Sequence, residues 1–394
     1  MYRRHFISSA LAWPLVSGST RLYAAPNSSA RLLFVFLRGA YDAASLLVPI
    51  SSNFYYESRP DIALARPSAD LASSLPITTD WGLHPALRNN LYPLYQRGEL
   101  AFVPFFGTDD ISRSHFETQE SIELGQPLTG HKDYSSGFLN RLNSVLTGSA
   151  PMAFTNQLPT IFKGPAQVPN TALSSLAKPA IDARQSGIIA NMYSGTQLAS
   201  VVQGGFVMRQ DLMRELATEM DAASRQSISA KGFELEARRI GKLMKDSYRL
   251  GFVDVGGWDT HVGQGGATGY LANRLDELGQ GLAALPQELG RAWKDTVVVV
   301  VSEFGRTLRQ NGNRGTDHGH GSVLWVMGGS VRGGRVLGEQ VVVERATLFQ
   351  DRDLPVLNNY RDTLGGLFQR QFGLSQTQLA QVFPGASVRD LGLL

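Results

Sequence analysis

The chain contains no cysteine. A disulfide framework, a cysteine-ligated zinc finger, an iron–sulfur cluster and a cysteine nucleophile are thereby excluded, and any metal must be held by His, Asp, Glu or hydroxyl oxygens. Long apolar runs are also missing. No segment after the N-terminus reaches the roughly 18 uninterrupted apolar residues of a membrane-spanning helix, so the mature chain is expected to have no stable membrane span. Clusters of Lys and Arg are absent. The net charge of +3 is carried by Arg3, Arg4 and Arg21, which lie in the first 25 residues without an acidic neighbour. The rest of the chain is neutral, which is not a nucleic-acid footprint. No G-x-S-x-G nucleophile elbow and no internal repeat occur. What is present is a globular composition, 43% hydrophobic and 18% charged over 394 residues, enough for one large core.

The N-terminus reads as an export leader. Arg3 and Arg4 precede Phe6, Ile7 and a short, weakly apolar stretch to Val16; small residues, Arg21 and the Ala24–Ala25 pair follow. This order of basic, apolar and small residues describes a signal segment over residues 1–25, and the arginine pair resembles a twin-arginine signal. The expected partner is therefore the twin-arginine export machinery, and the expected location is periplasmic or secreted.

Five short apolar runs predict buried, largely parallel strands: Leu32–Leu37, Leu100–Phe106, Leu250–Val255, Thr296–Val301 and Val323–Met327. Helical periodicity over Asp211–Met220, Leu271–Ala284 and 362–372 alternates with them. Strands alternating with helices give an α/β fold, read as a three-layer α/β/α sandwich in a single domain over residues 26–394. Residues 126–205 are rich in Pro, Ser, Thr, Asn and Gly and are expected to form a loop-rich insertion that covers the site.

The polar residues gather where these strands end, the edge at which α/β sheets bind ligands. Asp42 follows the first run, and Asp109, Asp110, Ser112, Arg113, Ser114 and His115 follow the second. Asp254, Asp259 and His261 follow the third, Glu303 the fourth, and Asp317, His318 and His320 precede the fifth. Four of the 7 His lie in these clusters. His261 and His318 read as metal ligands. His115 and His320 are balanced between ligand and structural residue, and His320 is counted with the ligands; His84 and His131 read as structural. Carboxylates mixed with imidazoles suit one or two divalent ions such as Zn, Mn or Mg. The expected ligands are Asp42, Asp259, His261, Glu303, Asp317, His318 and His320. Ser114 fits two compatible roles: N-cap of a helix over His115–Leu124, with Glu117 completing a capping box, or a nucleophile at a helix N-terminus. Arg38, Arg113 and Arg306 sit beside the clusters, and Arg113 is the first candidate to contact a substrate oxyanion.

In this order, the segments RGAYDAAS, SRSHFETQ, GGWDTH, SEFGRT and GTDHGHGS resemble a widespread bacterial exported family, domain of unknown function family 1501. That family in turn resembles the alkaline phosphatase and sulfatase superfamily. The resemblance implies an alkaline-phosphatase-like fold, with Asp42, Asp259, His261, Glu303 and His318 as metal ligands and Ser114 as nucleophile. The sequence departs from the superfamily pattern in two places. Asp-Thr-His replaces a longer Asp–His spacing, and Ser302–Glu303 stands where an Asp–His pair is usual; a one-metal site is therefore the alternative to two. The expected function is an exported metal-dependent hydrolase of phosphate or sulfate esters, acting on a small-molecule or polymer-borne anionic ester through a covalent seryl ester. The alternative is an exported, non-catalytic binding or assembly protein with one structural metal.

Overall fold

β1 (Arg31–Leu37) is apolar at every position from Leu32 on, and each of those residues is buried. A strand without an exposed face must be covered on both sides. Leu33, Val35 and Leu37 enter one core with residues of α7 (Phe233–Asp246) and α8 (Tyr270–Leu289). Leu32, Phe34 and Phe36 enter a second core with α5 (Phe138–Val145), α9 (Tyr360–Phe372) and α10 (Gln376–Val382). The result is an α/β fold with helices on both faces of the sheet. The computed structural model describes residues 29–173, 183–207 and 232–394. The leader over 1–25 and the helix expected over 211–220 lie outside the described residues.

The sheet is mixed. β1 pairs in parallel with β7 (Leu250–Val255) on one side and β8 (Thr296–Ser302) on the other. Leu37 stands opposite Val255 and Ser302, so the three strands end level and their polar followers leave the sheet side by side. β9 (Ser322–Gly328), expected to be parallel, runs antiparallel to both β8 and β5 (Leu100–Gly107). The reason is the connection. Residues 303–321 contain no helix to carry the chain back across the sheet, so the strand returns in the opposite direction. This reversal brings the start of β9 to the edge where its neighbours finish: Ser322 pairs with Phe106 near the end of β5. A register shift between Pro104 and Phe106, with Phe105 at φ 54°, turns the end of β5 toward that edge.

Where it is described, the stretch expected as a loop-rich insertion contains regular elements. Besides α5 it supplies β6 (Pro151–Ala153), which pairs in parallel with β7 as the sheet's edge, and α6 (Ala183–Met192). The helix expected over Leu271–Ala284 extends to Tyr270–Leu289 and tolerates Pro286 near its end. Among the described residues, no helix is long and apolar enough to cross a membrane.

His84 is structural, as its sequence setting implies. Its Nδ1 accepts the Ala86 N–H at 3.1 Å, and its Nε2 lies 3.2 Å from the Gly266 carbonyl. Burial pushes the imidazole down to about 4 from 6.5. Between those values the unfolded chain binds a proton that the folded chain refuses, so stability present above pH 6.5 is lost as pH falls toward 4. The unfolding midpoint of the wild type is expected to drop across this window by the equivalent of up to roughly 3 kcal/mol more than that of His84→Asn. Parallel pH profiles for the two proteins would refute this.

Candidate functional site

The loops leaving β1, β5, β7 and β8, together with the segment entering β9, meet at one edge. α4 (His115–Leu124) begins there. Ser114 is its N-cap: its Oγ accepts the Glu117 N–H at 3.5 Å. The second half of the expected capping box is absent, because the Ser114 N–H donates to Ser112 Oγ at 3.3 Å instead. His115, the first helical residue, projects into the edge. Phe304 stacks beneath it at 5.0 Å between ring centroids and lies 5.3 Å from His318, giving both imidazoles an apolar floor.

His115 Nε2 and His318 Nε2 are 2.9 Å apart, and His261 Nε2 is 3.1 Å from the same His318 atom. Asp259 joins them: its Oδ1 is 3.0 Å from His261 Nε2 and 3.3 Å from His318 Nε2, and its Oδ2 is 3.5 Å from His115 Nε2. His115, Asp259 and His318 form a group able to hold a metal ion, with all donor atoms within 4.8 Å of one another. His261 flanks this group.

The opposite nitrogen of each ring is also engaged. His115 Nδ1 lies 2.8 Å from Glu303 Oε1, His261 Nδ1 3.0 Å from Asp317 Oδ1, and His318 Nδ1 3.0 Å from the Arg113 carbonyl. Each of those partners is an acceptor, so each Nδ1 donates, and the three Nε2 lone pairs are left facing inward. Outer acceptors on Nδ1 and lone pairs on a common centre are how ligating imidazoles are held. The donor set therefore fits a cation. Two imidazoles with one carboxylate, and a third imidazole beside them, suit Zn or a similar transition ion better than Mg, which prefers oxygen.

Titration follows the same pattern. Hydrogen bonding to Glu303 raises His115 above the ordinary imidazole range. Burial and the neighbouring His115 lower His318. Burial alone would raise Asp259, but the hydrogen bond and charge of Arg306, whose Nη1 sits 2.5 Å from Oδ1, outweigh it and hold the carboxyl low. Glu303 behaves likewise: burial opposes ionisation, and hydrogen bonds from His115 and Gln119 prevail.

Several expected ligands are placed elsewhere. Asp42 is buried, and both its oxygens are taken: Arg59 grips Oδ2 and Oδ1 at 2.5 and 3.0 Å, and Ser45 and Gln264 donate to Oδ2 at 2.7 and 2.6 Å. It is an anchor for a buried arginine rather than part of the imidazole group. Glu303 accepts from His115, Gln119 and the Gly39 N–H on Oε1 and from Ser302 on Oε2, so it orients His115. Asp317 orients His261 in the same way. His320 is buried against Phe349, at 4.8 Å, away from the group. The Arg113 guanidinium, expected on a substrate, is held by buried Asp353 at 2.7 Å, while its carbonyl serves His318. Arg38 pairs with Asp254 and Glu123.

Other contributors carry no motif. Gly39, at φ 117°, passes so close to the β7 loop that a Cβ there would lie 2.9 Å from the Asp259 nitrogen. Phe304, Gln119 and Arg59 gave no sequence signal beyond, for the first two, lying inside a polar cluster.

Fold and site together define a mixed-sheet α/β protein with an imidazole-rich candidate metal centre at the carboxyl edge of its parallel strands. The chain belongs to the family described as Protein of unknown function (DUF1501), whose model matches residues 29–383. No curated protein matches it. Among solved structures, Ps i-CgsB in complex with k-i-k-neocarrahexaose is similar at a TM-score of 0.35, with 8% identity over 89% of this chain and 73% of that chain.

The Asp42 assignment is directly testable. Arg59→Met leaves a buried carboxylate unpaired and is expected to cost about 3–5 kcal/mol in denaturant unfolding. Asp42→Asn is expected to keep whatever metal the wild type binds. Loss of metal from a normally folded Asp42→Asn would return Asp42 to the ligands.

Proposed function

We propose that this chain is an exported, single-ion hydrolase of phosphate or sulfate monoesters, distantly related to the alkaline phosphatase and sulfatase superfamily. The observation that carries the reading is the inward convergence of the His115, His261 and His318 Nε2 atoms on Asp259. One ion rather than two is proposed because Asp42 and Glu303 are spent on other partners. His115, His318 and Asp259 would hold the ion, with His261 beside them. When bound, it supplies Lewis acidity toward an ester oxygen. The export half of the proposal rests on the leader in residues 1–25 and the twin-arginine machinery it resembles a substrate for.

Ser114 is the proposed nucleophile. It lies between Arg113, whose carbonyl touches His318, and His115. Its place at the start of a ten-residue helix puts the positive end of the dipole beside an ionised Oγ. The Oγ–phosphorus or Oγ–sulfur bond forms as the bond to the alcohol oxygen breaks, and the proton given up by Oγ leaves with the alcohol. Water then attacks the seryl ester, releases phosphate or sulfate and restores the hydroxyl. Glu303, Asp317 and the Arg113 carbonyl keep the three rings from rotating, and Arg306 keeps Asp259 ionised.

The second reading is a non-catalytic exported protein with the ion in a structural role, favoured by the commitment of Ser114 Oγ to the Glu117 N–H. Elemental mass spectrometry and an aryl phosphate or sulfate assay separate the two. The hydrolase reading expects a single equivalent of transition metal, lost in His318→Ala. It further expects turnover that falls roughly a thousandfold in Ser114→Ala while the metal stays. Metal without turnover, with an unfolding midpoint that falls on chelation, would establish the structural reading instead. Turnover unchanged in Ser114→Ala would remove the nucleophile assignment.

A further inference from the structure

A cleft of about 570 Å³ opens between the ends of β1 and β7 and the segment over 155–163. It is joined to the imidazole group by a short relay. Arg38, in its wall, donates to Gln119 Oε1 at 2.8 Å, and Gln119 donates to Glu303 Oε1 at 2.8 Å, the oxygen that orients His115. The wall of the cleft is thus coupled through three successive hydrogen bonds to His115.

The chemistry of the walls is one-sided. Arg38 is already paired with two carboxylates, Asp254 at 2.6 Å and Glu123 at 2.9 Å, so it brings no free positive charge. On the opposite wall the side chains of Asn156, Gln157 and Lys163 are exposed and have no hydrogen-bond or ion-pair partner among the described residues. Two primary amides offer donors and acceptors together, the ammonium offers donors, and Asp254 offers a carboxylate oxygen. An apolar guest would bury these groups unpaired. Hydroxyl groups, which both donate and accept, satisfy them.

We infer that this cleft is the subsite for the alcohol portion of the ester, and that this alcohol is polyhydroxylated, a sugar or a polyol. The inference rests on the ester-hydrolase reading, and its test tells the two apart. Metal-loaded full-length Ser114→Ala is titrated calorimetrically with glucose 6-phosphate and with ethyl phosphate, which share the phosphate and differ in the alcohol. The sugar ester is expected to bind about tenfold tighter, the return on two or so added hydrogen bonds. Adding Asn156→Ala and Lys163→Ala is expected to erase that gain while ethyl phosphate affinity and metal content stay the same. Equal affinities, or a gain that survives both substitutions, would overturn the inference. If neither phosphate binds to protein that retains its metal, glucose 6-sulfate and ethyl sulfate are titrated in the same way, and failure of both pairs overturns the hydrolase reading. Maltose titrated into the wild type then decides the cleft: binding abolished by the same two substitutions keeps it as a sugar site, and no binding removes it.

Discussion

The His318 Nε2 lone pair is pressed to about 3 Å from those of His115 and His261, which repel it, and the site is organised around that repulsion. Each imidazole has its outer nitrogen fixed by an acceptor, so none can turn its N–H inward without breaking a bond to Glu303, Asp317 or the Arg113 carbonyl. Only a positive charge among the Nε2 atoms relieves the strain. A proton on His115 can do this in part, and the hydrogen bond from that ring to Glu303 favours it. A metal ion relieves all the rings at once. The candidate function grows from this constraint: residues that only orient outnumber the residues that would bind.

The sheet makes the constraint possible. Leu37, Val255 and Ser302 end level, so the segments that follow them emerge at one height. His318 reaches the same place from the other direction because β9 runs antiparallel and begins where its neighbours end. Were β9 parallel, His318 would emerge at the opposite edge, a strand length away. Gly39 completes the approach by letting the β1 loop touch the Asp259 backbone.

Much of this was legible in the sequence, and what was not has identifiable causes. Continuous apolar runs such as LLFVFL mark strands covered on both faces, and polar clusters at their ends mark the edge. Strand direction leaves no such trace, since TVVVVV and VLWVM read alike; only the helix-free connection between them distinguishes β9. Asp42 looked like a ligand because its place in the chain is right. Its partner Arg59 lies 17 positions on in a stretch without a motif, so their pairing is invisible before the fold brings them together. Glu303 and Asp317 each read in the sequence as a carboxylate beside imidazoles, but composition does not tell an oxygen that binds an ion from one that holds a ring. His115 gives an evenly balanced signal because a helix N-terminus gives a histidine an ordinary structural role as well.

Charge balance adds an argument that geometry alone does not. A buried relay runs from Asp42 through Gln264, Thr316 and Arg306 to Asp259, each step a hydrogen bond of 2.5–3.2 Å. Along it Arg59 cancels Asp42 and Arg306 cancels Asp259. Glu303 and Asp317 remain, and neither forms an ion pair with Arg or Lys among the described residues; their partners are neutral donors and the imidazoles. Both carboxyls are nonetheless held below their ordinary values, against the burial that would raise them. With neutral imidazoles the site therefore keeps two carboxylates without an arginine or lysine ion-pair partner of their own, one of them fully buried. Two protons on the rings would neutralise it at the cost of placing like charges in contact. One divalent cation supplies the same charge between His115, Asp259 and His318, whose donor atoms lie within 4.8 Å of one another.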